Sequence, residues 1–148
     1  MYKNLLVPTD GSKLSDKAVK EATGLAATLK ATVTLYYAVP GYPEPIYAES
    51  SMMITYITPQ EYRVSSAKFA AKVLDKAAAK VAAGGVKVQT YHSESDLPHE
   101  GIVAAAKKKR CDLIVMASHG RRGVSGFLLG SETQKVLTHS KIPVLVVR

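Results

Sequence analysis

Leu5-Leu6-Val7-Pro8-Thr9-Asp10-Gly11-Ser12 is the stretch that decides the fold. Three consecutive apolar residues stop at Pro-Thr-Asp-Gly, the pattern of a short strand buried on both faces that ends in a tight turn. Beyond the turn, Leu14, Ala18, Ala22, Leu25 and Leu29 recur at helical spacing. Ser12 stands where its hydroxyl can accept from a free amide of the first helical turn. The unit is strand, turn, amphipathic helix.

The same unit recurs outward along the chain. Thr32–Val39 is rich in β-branched and aromatic residues and reads as a second strand. Pro40, Gly41, Pro43 and Pro45 then interrupt it, and residues 41–56, with three tyrosines and two methionines but no clean period, read as a loop or lid over the strand ends. Thr58-Pro59-Gln60-Glu61 combines a capping box with proline at the first helical position. The helix that follows gathers Ala67, Ala70, Ala71, Leu74, Ala77, Ala78 and Val81 on one broad face and stops at Gly84-Gly85. Residues 86–91 alternate as a third strand, and Asp96 is placed to cap a helix over 97–109. Leu113-Ile114-Val115-Met116 is a fourth strand. Ser131 and Gln134 have the spacing of another capping box, ahead of a helix over 132–139, and Val144-Leu145-Val146-Val147 is the last strand. Five short apolar strands alternating with helices predict an α/β fold with a mainly parallel sheet covered on both faces. Strand order is not visible in period or composition.

The 148 residues, 47% of them hydrophobic, suffice for one domain with a substantial core. The apolar run at residues 5–8 is too short for a signal peptide or a membrane span, and the single cysteine, Cys111, cannot form an internal disulfide. A reducing, cytoplasmic setting without membrane attachment is the expectation. The net charge of +8 permits anionic partners without choosing among them. Lys107, Lys108, Lys109 and Arg110 form one local cluster, but no aromatic residues interleave with it. It reads as a solvated helix end that complements the helix dipole, and nucleic acid is not the expected partner.

In open α/β sheets ligands bind past the carboxyl ends of the strands, near the reversal of strand order. Three segments converge there: Thr9-Asp10-Gly11, Ala38-Val39-Pro40 and the stretch from Ala117 to Ser131. Glycines at 120, 123, 126 and 130 let backbone approach closely, and Gly130-Ser131 opens a helix whose unpaired amides favour an anion. Arg121 and Arg122 add positive charge. A phosphate cradle and a glycine-rich surface loop with Ser131 as a mere cap are both compatible with these residues. Asp10 can accept from a ribose hydroxyl or from amides of its own turn. As an acceptor only, it suits the sugar end of a nucleotide and not the phosphates.

Other chemistry is absent from the sequence. It contains no GxxxxGK[ST] phosphate loop, no GxGxxG after the first strand and no GxSxG around Ser118. His92, His99, His119 and His139 lack metal-ligand spacing. His119 reads as a hydrogen-bonding spacer with phosphate contact as the alternative, Cys111 as inert, and Met116 as core that can also line an adenine pocket.

Taken together, Leu5 to Ser12, Asp112-Leu113-Ile114-Val115-Met116-Ala117-Ser118-His119-Gly120, and Gly130-Ser131 through Pro143-Val144-Leu145-Val146-Val147 resemble the universal stress proteins of the UspA type, over essentially the full length as one domain, 1–148. The resemblance implies a five-stranded parallel sheet in order 3-2-1-4-5 and a homodimer joined through the last strands. An unpaired apolar edge at Val144–Val147 makes that pairing physically sensible. It also implies kinship with the ATP-binding members, whose motif is glycine, two residues, glycine, nine residues, glycine, then serine or threonine. Gly120, Gly130 and Ser131 match; Ala117 occupies the first glycine position, which implies weakened rather than abolished binding. Carried over by position, Asp10 approaches the ribose, Ala38 offers backbone to adenine and Ala117 approaches the sugar–phosphate junction, with Thr9 and Met116 counted among the nucleotide-binding residues. His119, Gly120, Arg121, Gly130, Ser131, Glu132 and Thr133 surround the phosphates of ATP, with Mg²⁺ as its companion ion. The implied role is a nucleotide-responsive regulatory dimer in stress survival, with an unidentified protein partner downstream. The alternatives are a slow ATPase or phosphotransfer protein and a ligand-free dimeric interaction module.

Overall fold

The computed structural model describes residues 1–43, 57–119 and 129–148. Their elements run β1 (Asn4–Pro8), α1 (Lys13–Leu29), β2 (Thr32–Val39), α2 (Pro59–Ala83), β3 (Val88–Glu94), α3 (Pro98–Lys108), β4 (Leu113–Ala117), α4 (Ser131–His139) and β5 (Val144–Val147). The five strands form one parallel sheet in the order β3-β2-β1-β4-β5, the order the family resemblance implies. Among the described residues no helix is long and apolar enough to cross a membrane. The reading of 41–56 as a loop or lid falls mostly outside the described residues.

Each face of the sheet carries its own core. Leu5, Val7, Val33, Leu35 and Val115 pack under Val19, Ala22 and Ala26 of α1 and Leu74, Ala77 and Val81 of α2. Leu6, Tyr36, Ile114 and Met116 pack under Ile102, Ala105 and Ala106 of α3 and Val136 of α4. Leu5 and Leu6, neighbours in sequence, thus serve opposite cores, as the period of two requires. Each such side chain, fully buried, contributes about 2 kcal/mol of transfer free energy.

Local signals fix several helix ends as the sequence predicts. Ser12 caps α1, its hydroxyl accepting from the Ser15 amide. Thr58 and Glu61 complete a reciprocal capping box on α2. Gly85, at φ 71°, supplies the left-handed residue after α2.

Two caps differ from the sequence expectation. Asp96 does not cap α3; its Oδ1 accepts from the Gly41 amide at 3.0 Å and ties β2's exit to the β3–α3 connection. Leu97 occupies the N-cap of α3 without a side-chain bond. Ser131 and Gln134 form no capping box: Gly130 is the N-cap of α4, Ser131 is the first helical residue, and Gln134 Nε2 donates to the Leu129 carbonyl. β3 also lies further along than 86–91. Val86 is buried beneath the helices, while His92, Ser93 and Glu94 pair with Tyr37, Ala38 and Val39.

The amino end of β1 is fastened by Asp112, whose carboxylate accepts from the Lys3 amide at 2.7 Å and the Asn4 amide at 3.0 Å. Asn4 in turn donates to the Lys109 carbonyl and accepts from the Thr34 hydroxyl. Asp112 is therefore a structural residue, at the pole opposite the strands' carboxyl ends.

Candidate functional site

The sheet opens where its order reverses. β1 pairs with β2 along its whole length, from Asn4↔Thr32 to Pro8↔Tyr36. Its pairing with β4 is confined to Leu5↔Leu113 and Leu6↔Ile114. β4 meanwhile stays paired to β5 as far as Ala117↔Val147. From β1 the chain passes to α1 on one face, and α4 after β4 lies on the other. A crevice at such a switch point is the standard ligand position in doubly wound sheets.

On the β1 side, Thr9 is buried and fully engaged. Its amide donates to the Tyr36 carbonyl, its Oγ1 lies 3.1 Å from Ser15 Oγ, and it accepts from the Gly11 amide. Asp10 is half-buried, and its Oδ1 accepts from the Ser12 amide at 3.0 Å. The turn role of Asp10 is thus present; one oxygen steadies the loop and orients the carboxylate. Ser15, which locks the Thr9 hydroxyl, is not identifiable from sequence because it looks like an ordinary helix position.

On the β2 side, Tyr36's carbonyl faces β1, whereas Val39's carbonyl accepts from the Ser95 amide beyond β3. Backbone groups alternate sides along a strand. The N–H and C=O of Ala38 therefore face the β1 side, past the point where β1 has ended. Its methyl packs against the α3–α4 core, so only backbone is offered to a ligand.

On the β4 side, Met116 is core, 6% exposed. Ala117 lies within the strand with ordinary backbone; among the described residues only Lys30 and Arg110 combine a side chain with positive φ. The first motif position therefore needs no left-handed residue here. Ser118 Oγ lies 3.1 Å from His119 Nδ1, a bond between neighbours that leaves the ring half-buried at the strand end. Gly120, Arg121 and Arg122 lie outside the described residues.

α4 is docked directly onto the end of β4. The Gly130 amide donates to the Ser118 carbonyl at 2.8 Å. A Cβ at Gly130 would stand 2.9 Å from that same oxygen and 3.3 Å from His119 Cα. Its φ of −60° is open to any residue, so the glycine is needed for this close approach and not for its conformational range. The buried Thr133 hydroxyl donates to the Ala117 carbonyl at 3.0 Å, with the Ser118 carbonyl at 3.2 Å. Thr133 thus contributes a strut, and only its amide remains for a ligand. Glu132 turns its carboxylate away to α3: Oε2 accepts from the His99 amide at 2.9 Å and lies 3.0 Å from His99 Nδ1, while Oε1 accepts from Lys135. Partial burial pushes the Glu132 carboxyl up, but the bonds from Lys135 and His99 outweigh this and hold it below the ordinary value.

What remains is the first turn of α4. The amides of Ser131, Glu132 and Thr133 have no partner among the described residues, since the first intrahelical bond runs from the Gln134 amide to the Gly130 carbonyl. The Ser131 hydroxyl is exposed and does not cap. Three amides at the positive end of a helix dipole form an anion-binding arrangement. Among the described residues no group of His, Cys, Asp and Glu is arranged to hold a metal ion.

Comparison with known proteins agrees with this architecture. The model of the universal stress protein family matches residues 1–148. Universal stress protein MJ0531 of Methanocaldococcus jannaschii is 35% identical over 149 residues, covering 100% of this chain and 83% of that protein. The solved structure of MJ0577, from the same organism, gives a TM-score of 0.80 at 30% identity and covers 99% of this chain and 96% of that one. A universal stress protein solved in complex with cAMP gives a TM-score of 0.72 at 26% identity, covering 99% and 97%.

Proposed function

The chain belongs to the universal stress protein family, and on that basis we propose that it is an ATP-binding regulatory protein that works as a homodimer. The observation that carries this reading is the group of first-turn amides of α4 at the mouth of the crevice between β1 and β4. A triphosphate suits them, with the ribose toward Asp10 and adenine toward the backbone of Ala38. The relative with cAMP bound supports an adenine nucleotide as the ligand class. Asp10 and the α4 amides differ in sign, which gives the nucleotide one direction in the crevice. Mg²⁺ would be held chiefly by the nucleotide's own phosphates and water, in keeping with its reluctance to dehydrate.

Binding is favoured over turnover because the described groups around the crevice are already committed. Thr9, Thr133 and Glu132 are engaged in structure, and His119, beside Gly130, is bonded through Nδ1 to the Ser118 hydroxyl. The dimer reading rests on β5, the sheet's edge, where Leu145 is 42% exposed. Pairing two such edges removes an aggregation hazard.

Titration of nucleotide-free protein with ATP in the presence of Mg²⁺ tests the proposal. Saturable binding at one nucleotide per chain is expected. No binding at millimolar ATP would refute it.

A further inference from the structure

In a doubly wound sheet every helix-to-strand connection lies at the pole opposite the crevice. Here those connections, together with the segment ahead of β1, carry a cation at the start of every strand. In sheet order they are Lys87 before β3, Lys30 before β2, Lys3 before β1, Lys109 and Arg110 before β4, and Lys141 before β5. Backbone bonds knit the row together: the Thr32 amide donates to the Lys3 carbonyl, the Val33 amide to the Lys87 carbonyl, and Asn4 Nδ2 to the Lys109 carbonyl. These connections hold six cations and a single carboxylate, Asp112, against a net charge of +8 for the whole chain. Asp112 is spent on the Lys3 and Asn4 amides. None of the six is in an ion pair with a carboxylate among the described residues.

Helix dipoles account for only part of this row: Lys30 is the C-cap of α1 and Lys109 the C-cap of α3, where each complements its helix. Lys107 and Lys108 sit in the last turn of α3 and complement its dipole. Lys3, Lys87 and Lys141 precede strands, outside any helical turn, and Arg110 lies beyond its helix in a left-handed conformation at φ 54°. Like charges placed side by side repel, so the row lowers stability unless something anionic covers it.

We infer that this row binds the phosphate backbone of a nucleic-acid strand. The shape of the charge is the reason. Neighbouring strands start about 4.8 Å apart, so five starts make a line of about 19 Å. A nucleic-acid strand carries one charge per about 3.4 Å of axis, so the line spans five or so phosphates. A lipid surface spreads its charge over an area and has no matching line. Lysines predominate, which suits a sequence-independent electrostatic grip better than base readout. Tyr91 of β3 lies under Lys109 Nζ at 4.6 Å and Lys108 Nζ at 5.1 Å from its ring centre and stacks on Tyr36, so it holds these cations in place and is not a platform for bases.

The test is fluorescence anisotropy of a labelled 20-nucleotide oligothymidine with the full-length protein. Wild type is expected to bind at 50 mM salt and to weaken on the order of 100-fold by 200 mM, as about five phosphate contacts require. Replacing three cations of the row together (Lys30→Gln, Lys87→Gln, Lys141→Gln) is expected to cost at least about tenfold at 50 mM and to lower the salt slope by about two. Removing the same charge from exposed positions of α2 (Lys68→Gln, Lys72→Gln, Lys76→Gln) is expected to leave affinity within about twofold. Equal weakening by both triple variants would overturn the inference, as would an unaffected row variant. No wild-type binding at 50 mM, or capture by anionic phospholipid vesicles without capture by the oligonucleotide, would overturn it too. The ATP crevice is at the opposite pole, so none of these outcomes depends on it.

Discussion

The Glu132 carboxylate, in the first turn of α4, lies 2.9 Å from the backbone nitrogen of His99 in the first turn of α3. One residue thus caps a neighbouring helix across 33 positions of sequence while its own helix keeps its first amides open. A second bond to the His99 ring and the pairing with Lys135 complete the latch.

Glu132→Gln is expected to lower stability at neutral pH by about 1 kcal/mol, toward the low end for charged hydrogen bonds because the carboxylate is partly solvated. The folded-state carboxyl is held below its unfolded value, so its contribution is full above the unfolded value and is lost as pH falls through the folded one. Urea unfolding midpoints of wild type and variant should differ at pH 7 and converge on acidification toward pH 3. A gap that widens in acid would contradict the latch.

Gly130→Ala would place a methyl against the Ser118 carbonyl and His119 Cα, both backbone atoms that cannot turn aside. The start of α4 must then shift by a few tenths of an ångström, at a stability cost of about 1 kcal/mol. ATP affinity is expected to fall about tenfold, a loss of about 1.4 kcal/mol. Adenosine, which lacks phosphates, should bind with nearly unchanged affinity. Calorimetric titration with the two ligands separates these outcomes.

Ala117→Gly restores the first glycine of the ATP-binding pattern. Because Ala117 already has ordinary strand geometry, the exchange is expected to leave ATP affinity within about threefold while costing up to about 1 kcal/mol of stability through a freer chain. Thermal unfolding and nucleotide titration on the same preparation check both halves.

Much of the architecture is visible in local sequence because local rules decide it. Leu5-Leu6-Val7 alternates between two cores, and Ser12, Thr58 with Glu61, and Gly85 terminate helices through neighbours no more than a few residues away. The failures have a common cause. Asp96 and Ser131 have the right types and spacing for caps, yet α3 takes its carboxylate from Glu132 and α4 packs its amino end on Ser118. His92, Ser93 and Glu94 form strand because β2 pairs with them, not because of their own pattern. The crevice residues Thr9, Asp10, Ala38 and Ala117 are nameable from sequence, but whether a side chain or only its amide faces the ligand depends on contacts such as Thr133 with Ala117. The basic row is hidden for the same reason: its members are scattered along the chain and become neighbours only through strand order.

The central claim is that the open amides at the start of α4 grip the nucleotide's phosphates. Nitrogen–proton correlation spectra recorded during titration with Mg·ATP test it directly. The amide signals of Ser131, Glu132 and Thr133 are expected to move furthest, with adenosine leaving them nearly still. Saturable ATP binding with those three signals unmoved would contradict the account.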